Sequence, residues 1–145
     1  MSARRSESRE SMIRNRGRVL VVDDEEYLLK MICQSLEWYG LETERAENGE
    51  EALSILKSSK KPFDILITDF NMPVMNGGAL IRAVYRESIL LKGIILCSGG
   101  NRDPRSTELD DFLAEFVHTI PFRFVSKPFG PSDLMAAIND VLESD

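Results

Sequence analysis

Val19-Leu-Val-Val-Asp23-Asp24 is a short apolar run that stops at two acids. Three later stretches share that design. Ile65-Leu-Ile-Thr-Asp69 stops at a third acid, Ile94-Ile-Leu-Cys-Ser98 at a hydroxyl, and Phe124-Val-Ser-Lys127-Pro128 at a lysine. Apolar runs without alternation are what strands buried on both faces look like. In an open parallel sheet the carboxyl ends of the strands share one edge, and ligands bind there where strand order reverses. The four runs therefore predict one pocket assembled from residues far apart in sequence.

Between the runs lie helical patterns. Residues 25–39 place Leu28, Ile32 and Leu36 at four-residue spacing, with Gly40 as a stop. Leu41–Arg45 reads as a more polar strand at a sheet edge. Asn48 and Glu51 form a capping pair opening a helix through about Lys57. Phe63–Thr68 reads as the central strand, and Gly77-Gly78 as a turn into a helix from Ala79 to Glu87. Gly93–Cys97 is the fourth strand, Ser106–His118 a helix with an acidic outer face, and Phe122–Ser126 the fifth strand. Pro131 opens a final helix carrying Leu134, Ala137, Ile138 and Val141 on one face. Regular alternation predicts an α/β fold, a doubly wound parallel sheet of five strands with helices on both faces. The last helix reaches the end of the sequence, leaving no room in it for an output domain.

The 145 residues fit one domain, and 43% hydrophobic with 29% charged residues is ordinary for a globular chain. No apolar stretch is long enough to span a bilayer, and Met1-Ser-Ala-Arg-Arg-Ser-Glu lacks the apolar core of a secretory signal, so a cytoplasmic protein without membrane contact is expected. Residues 1–18 carry six arginines and two glutamates, a balance of +4; residues 19–145 carry 12 basic and 22 acidic side chains, a balance of −10, which together give −6. An acidic body argues against nucleic acid as its direct partner. Residues 1–16 read as a basic, disordered leader, and 17–145 as the folded domain. Cys33 and Cys97 lack zinc or redox spacing and read as buried apolar residues. His118, the single histidine, offers neither a metal cage nor a catalytic triad.

Three carboxylates at one edge repel each other unless a cation joins them. A magnesium ion takes oxygen ligands and often needs only one or two protein carboxylates. Asp23, Asp24 and Asp69 supply the carboxylates, with a backbone carbonyl near Asn71 as a further ligand. A carboxylate is also a nucleophile toward an activated phosphoryl group. Lys127 supplies a mobile positive charge and Ser98 a hydroxyl donor, which suits phosphoryl transfer, a reaction governed by positioning and charge neutralisation.

This set of residues over about 17–143 resembles the receiver domain of two-component response regulators. The resemblance implies a flavodoxin-like sheet of order 2-1-3-4-5, Mg2+ held by Asp23, Asp24, Asp69 and the Asn71 carbonyl, and phosphorylation on Asp69. The loop Asn71-Met-Pro-Val-Met-Asn-Gly77 is similar to the family's own. It implies catalytic support from Lys127 and Ser98, a switch formed by Ser98 and Phe124, and a cis peptide before Pro128. A phenylalanine at 124 lacks the hydroxyl many relatives carry; a rotating side chain and a permanently packed one are both compatible with it. Implied partners are a sensor histidine kinase or a histidine phosphotransfer protein, a downstream target or an output domain outside this sequence, and a second copy in a homodimer. The output face implied is helix four with strand five. The chain would be a signalling switch that catalyses its own phosphorylation and dephosphorylation rather than a metabolic enzyme.

Two departures stand out. Ser98 and Lys127 have 28 residues between them, and the extra length falls in Gly99–Pro121 around helix four. Gly100 offers no side chain to guide a hydrolytic water. Two rival functions share parts of the pattern. A haloacid-dehalogenase-like phosphatase needs a second aspartate two residues after its nucleophile, where this chain has Asn71. A receiver-shaped module that is never phosphorylated has no use for an intact acidic pocket.

Overall fold

The computed structural model of the chain describes residues 17–99, 108–115 and 119–143. The leader 1–16, Gly100, His118 and both ends of the helix expected over 106–118 lie outside the described residues. Strands β1 (Arg18–Val22), β2 (Glu42–Ala46), β3 (Ile65–Asp69), β4 (Gly93–Gly99) and β5 (Phe122–Lys127) alternate with helices α1 (Glu26–Trp38), α2 (Gly49–Ser58), α3 (Gly77–Arg86), α4 (Glu108–Glu115) and α5 (Pro131–Glu143). All pairings are parallel, in the order β2-β1-β3-β4-β5. The order reverses between β1 and β3, so the crevice expected of this topology opens beside their carboxyl ends.

The sheet separates two cores. On one face Val19, Val21, Ile65, Ile67, Ile95 and Cys97 pack under α1 and α5. On the other, Leu20, Val22, Leu66, Ile94 and Leu96 pack under α2, α3 and α4. Successive strand residues point to opposite faces, both of them covered, which is why Val19–Val22 of β1 and Ile65–Ile67 of β3 are apolar without alternation. The outer strands β2 and β5 are more exposed and more polar, as sheet edges are. No helix among the described residues is long and apolar enough to cross a membrane.

Several boundaries differ from their expected places: β2 is shifted by one residue and β4 runs on to Gly99, and local contacts mark three further differences. Strand β3 begins at Ile65; Phe63 precedes it, buried with the Arg18 guanidinium 4.2 Å from its ring centroid. Helix α3 begins at Gly77, two residues early, because the Asn76 side chain accepts a hydrogen bond of 2.8 Å from the Ala79 amide and caps the first turn. Gly77-Gly78 is thus the start of a helix and not a separate turn. Strand β5 runs one residue further, to Lys127, and the Lys127-Pro128 peptide is cis.

Arg18, nearly buried at the opposite end of the sheet, ties several segments together. Its Nη1 donates to Ser59 Oγ at 3.2 Å and to the Lys61 carbonyl at 2.5 Å, and its Nε lies 2.5 Å from Glu42 Oε2. These contacts hold edge strand β2 and the α2–β3 connection against β1.

Gly77 fixes how α3 leaves β3. A Cβ there would meet the Asp69 carbonyl oxygen at 2.2 Å, an approach that backbone alone cannot relax cheaply, whereas a Cβ at Gly99 meets nothing within 4 Å. Gly77→Ala is therefore expected to destabilise the fold by about 2 kcal/mol or more through overpacking, while Gly99→Ala stays near the native value. Urea unfolding of both variants checks this.

Candidate functional site

Four side chains converge at the carboxyl edge of the sheet, and strand parity explains why. Positions 19 and 21 of β1, and 65 and 67 of β3, face the α1/α5 core. Continuing the alternation sends Asp23 and Asp69 to that same side, one residue row above the last buried apolar pair. Val125 of β5 packs against that core too, and Lys127 follows it by two. The parallel register sets the height: Asp69 stands opposite Cys97, and Gly99 opposite Lys127.

Lys127 Nζ lies 3.0 Å from Asp23 Oδ2, to which it donates a hydrogen bond, and 3.4 Å from Asp69 Oδ2. Asp23, Asp24 and Asp69 each offer a carboxylate oxygen within 4.8 Å of the others. Asp23 and Asp69 are 2% and 6% exposed, while Asp24 is open to solvent. Asp23 also holds the entry to α1, its Oδ1 accepting from the Glu25 amide at 2.9 Å. One oxygen of this carboxylate thus fixes the turn before α1, and the other meets Lys127 in the pocket.

The electrostatics follow from that crowding. Burial pushes the Asp69 carboxyl up from its ordinary value of 3.8 to about 6; Lys127 pulls it down, and Asp23 and Asp24 push it up again. Burial alone would lower Lys127, but its hydrogen bond to Asp23 and the charges of Asp69 and Asp23 hold the ammonium above its usual value. Cys97, opposite Asp69 in the register, is driven by burial to about 12 and is no thiolate at neutral pH.

Ser98 is 2% exposed, and its Oγ has no hydrogen-bond partner among the described residues. A buried hydroxyl without a partner is uncommon and points to a group that completes its bonding elsewhere. By parity Ser98 falls on the other side of the sheet from Asp69, with Leu96 and, across the register, Phe124. Phe124 is 42% exposed, so it is not a packed core side chain here. Asn71 is exposed and, with Asp24, lines a cavity of about 340 Å³. Glu108 at the start of α4 lines the same cavity, a neighbour that sequence order does not reveal.

The donor set suits a small hard divalent cation: three carboxylates in one cluster, two of them nearly buried, with a single ammonium against them among the described residues. Counted over the described residues, one lysine against three acids leaves the pocket net negative. A cation or a protonated acid must balance it.

Comparison with known proteins agrees with this geometry. The model of the response regulator receiver domain family matches residues 19–139. Response regulator SaeR of Staphylococcus aureus is 30% identical over 125 residues, covering 86% of this chain and 50% of its own length. The chain thus spans about half the length of the curated relatives it matches. Among solved structures, a response regulator receiver domain protein from Clostridium thermocellum superposes with a TM-score of 0.72 at 29% identity, covering 87% of this chain and 94% of that one. Chemotaxis protein CheY4 of Vibrio cholerae does so with a TM-score of 0.68 at 28% identity, covering 87% and 98%.

The raised pKa of Asp69 carries a stability consequence. Folding favours its protonated form, so in metal-free buffer that contribution is complete below about pH 4 and lost as pH rises through about 6. Asp69→Asn removes the buried charge and is expected to raise Tm at pH 7.5 by about 3 °C, the response to ~1 kcal/mol in a domain of this size. The gain shrinks toward zero at pH 4. Thermal melts with a chelator at both pH values measure it.

Proposed function

This chain belongs to the response regulator receiver family, the signalling-switch domain of two-component systems, and on that premise we propose that it accepts a phosphoryl group on Asp69 from a phosphohistidine of a partner protein. The observation that carries the reading is the Lys127 ammonium held 3.4 Å from the Asp69 carboxylate at the tip of an acidic cluster.

An Asp69 oxygen attacks phosphorus, and the P–N bond to the donor imidazole breaks with its electron pair staying on nitrogen. The carboxylate must be ionised to attack, which a value of about 6 allows at neutral pH. Lys127 offsets the charge of the transferred group, and the Ser98 hydroxyl donates to one of its oxygens. Mg2+ is the expected cofactor; Asp23, Asp24, Asp69 and the Asn71 carbonyl would hold it, and it would supply charge neutralisation for the transfer. Hydrolysis of the acyl phosphate resets the chain.

Signalling follows if the phosphorylated state binds a partner better than the resting one. The reading assigns the change to Ser98 and to an inward movement of half-exposed Phe124, altering the α4 and β5 face. A histidine kinase or histidine phosphotransfer protein is the donor, and a downstream protein, an output domain or a second copy reads the result, in the cytoplasm. Asn71, where a phosphatase of the haloacid-dehalogenase type needs an acid, speaks against turnover of phosphate esters.

Incubation with radiolabelled acetyl phosphate and Mg2+ tests the chemistry. About one acid-stable, base-labile label per chain is expected, none in Asp69→Asn, and at least a tenfold slower reaction without the metal or in Lys127→Ala. Labelling that survives Asp69→Asn, or steady hydrolysis of a phosphate ester, would contradict the reading.

A further inference from the structure

Helix α1 turns three large apolar side chains to water. Leu29, Ile32, Cys33 and Leu36 meet the core, while the opposite side carries Tyr27, Met31 and Trp38, exposed by 77%, 47% and 81%. Six large apolar side chains stand exposed among the described residues, so half of them sit on this one helix. Single exposed apolar residues are ordinary, whereas a contiguous set marks an interaction site. With Gln34, also exposed, the three follow one another at steps of four, three and four residues. At 3.6 residues per turn these positions lie within about 60° of one another, in a line about 16 Å long. Alternating steps of three and four make the seam of a helix pair.

That spacing reads the same in both directions. A second copy of α1 laid antiparallel on the seam sets Tyr27 against Trp38 and Met31 against Gln34, and the two-fold axis repeats both contacts. The flank agrees in charge. Lys30 and Glu37 are exposed on the same side of the seam, and the antiparallel arrangement brings Lys30 of one copy within about 3 Å, along the axis, of Glu37 of the other. Thr43 Oγ1 donates a hydrogen bond to Glu37, which orients that carboxylate. Trp38 is oriented too, its ring meeting Tyr39 edge-on at a centroid distance of 5.2 Å, and Tyr39 packs against the α1/α5 core. Side chains placed in advance lose less entropy on binding. A lipid surface fits less well, because α1 offers Lys30 alone against Glu26 and Glu37.

We propose that this chain pairs with a second copy of itself through α1, the two helices antiparallel across a two-fold axis with Tyr27, Met31, Gln34 and Trp38 at the contact. The pairing goes beyond the phospho-acceptor reading and does not rest on it, since the seam faces away from the sheet and uses none of the pocket's side chains. Gln34 gives the seam one polar position, which fixes register at some cost in affinity. Two seams of this size bury less than ~1,200 Å², the range of transient interfaces, so the dimer has a Kd on the order of 100 µM.

The test is sedimentation equilibrium of the full, unphosphorylated chain from about 10 to about 500 µM, a range spanning the affinity of a transient interface. The weight-average mass should climb from 16.4 kDa toward twice that value. Trp38 is the single tryptophan, so its emission should move to shorter wavelength over the same range. Trp38→Gln should bind at least about tenfold more weakly. Lys30→Glu alone and Glu37→Lys alone each create like-charge pairs and should weaken pairing about fivefold, whereas an equimolar mixture of the two variants should recover native affinity. Thermal melts of each variant show that it is folded, a check needed most for Glu37→Lys, which loses the bond from Thr43. A native chain that stays at 16.4 kDa throughout overturns the proposal and assigns the stripe to a different protein. So does a dimer that forms without a change in Trp38 emission, or one that the mixed charge variants fail to restore.

Discussion

Like charges gathered at one end of an apolar sheet are the constraint on which the rest of this molecule depends. Asp23 and Asp69 are nearly buried, Asp24 lies beside them, and among the described residues Lys127 alone opposes them directly. A fold selected for stability alone would not collect carboxylates above rows of valine, leucine and isoleucine, because burial penalises each ionised form and each acid penalises its neighbours. The energetic deficit is tolerated where it has chemical use. A pocket short of positive charge suits a divalent cation, and burial raises the Asp69 carboxyl to about 6, where it is still mostly ionised at neutral pH.

The scaffold makes that arrangement reproducible. Parallel register fixes Asp69 against Cys97 and brings Lys127 level with Gly99, so the height of each functional group is set by backbone hydrogen bonds. Gly77 lets α3 turn within contact of the Asp69 carbonyl, and Asn76 caps the helix there. At the far end Arg18 clamps β2 and the α2–β3 connection. Backbone contacts thus hold the described strand ends in place, while the side chains left to move are a Ser98 hydroxyl with no partner among the described residues and a half-exposed Phe124. That division suits a switch, in which a small chemical change biases side chains resting on a fixed frame.

Much of this was legible in the residues themselves. The apolar runs ending in Asp23-Asp24, Asp69, Ser98 and Lys127 located the strands, and parallel topology was enough to predict that Asp23, Asp24, Asp69 and Lys127 meet at one edge. What escaped depends on contacts that a linear pattern does not encode. Gly77-Gly78 read as a turn because two glycines outweigh an asparagine in local propensity, yet Asn76 supplies the cap that keeps them helical. Phe63 read as strand because it is apolar, but it is buried against a guanidinium outside the ladder. The role of Arg18 emerges only when residues from β2 and the α2–β3 connection close around it. Nothing in Pro73-Val74-Met75 announces a valine with positive φ, since propensity argues the reverse. The rows on which Ser98 and Asp69 stand were recoverable by counting alternate residues from the apolar rows beneath them.

Carbon-detected NMR titration of the Asp69 carboxyl, with and without magnesium, addresses the central claim most directly. The crowded pocket predicts an apparent pKa of about 6 in metal-free buffer, falling by at least one unit when millimolar Mg2+ balances the charge. An ordinary carboxyl value near 3.9 without metal, unmoved by magnesium, would contradict it.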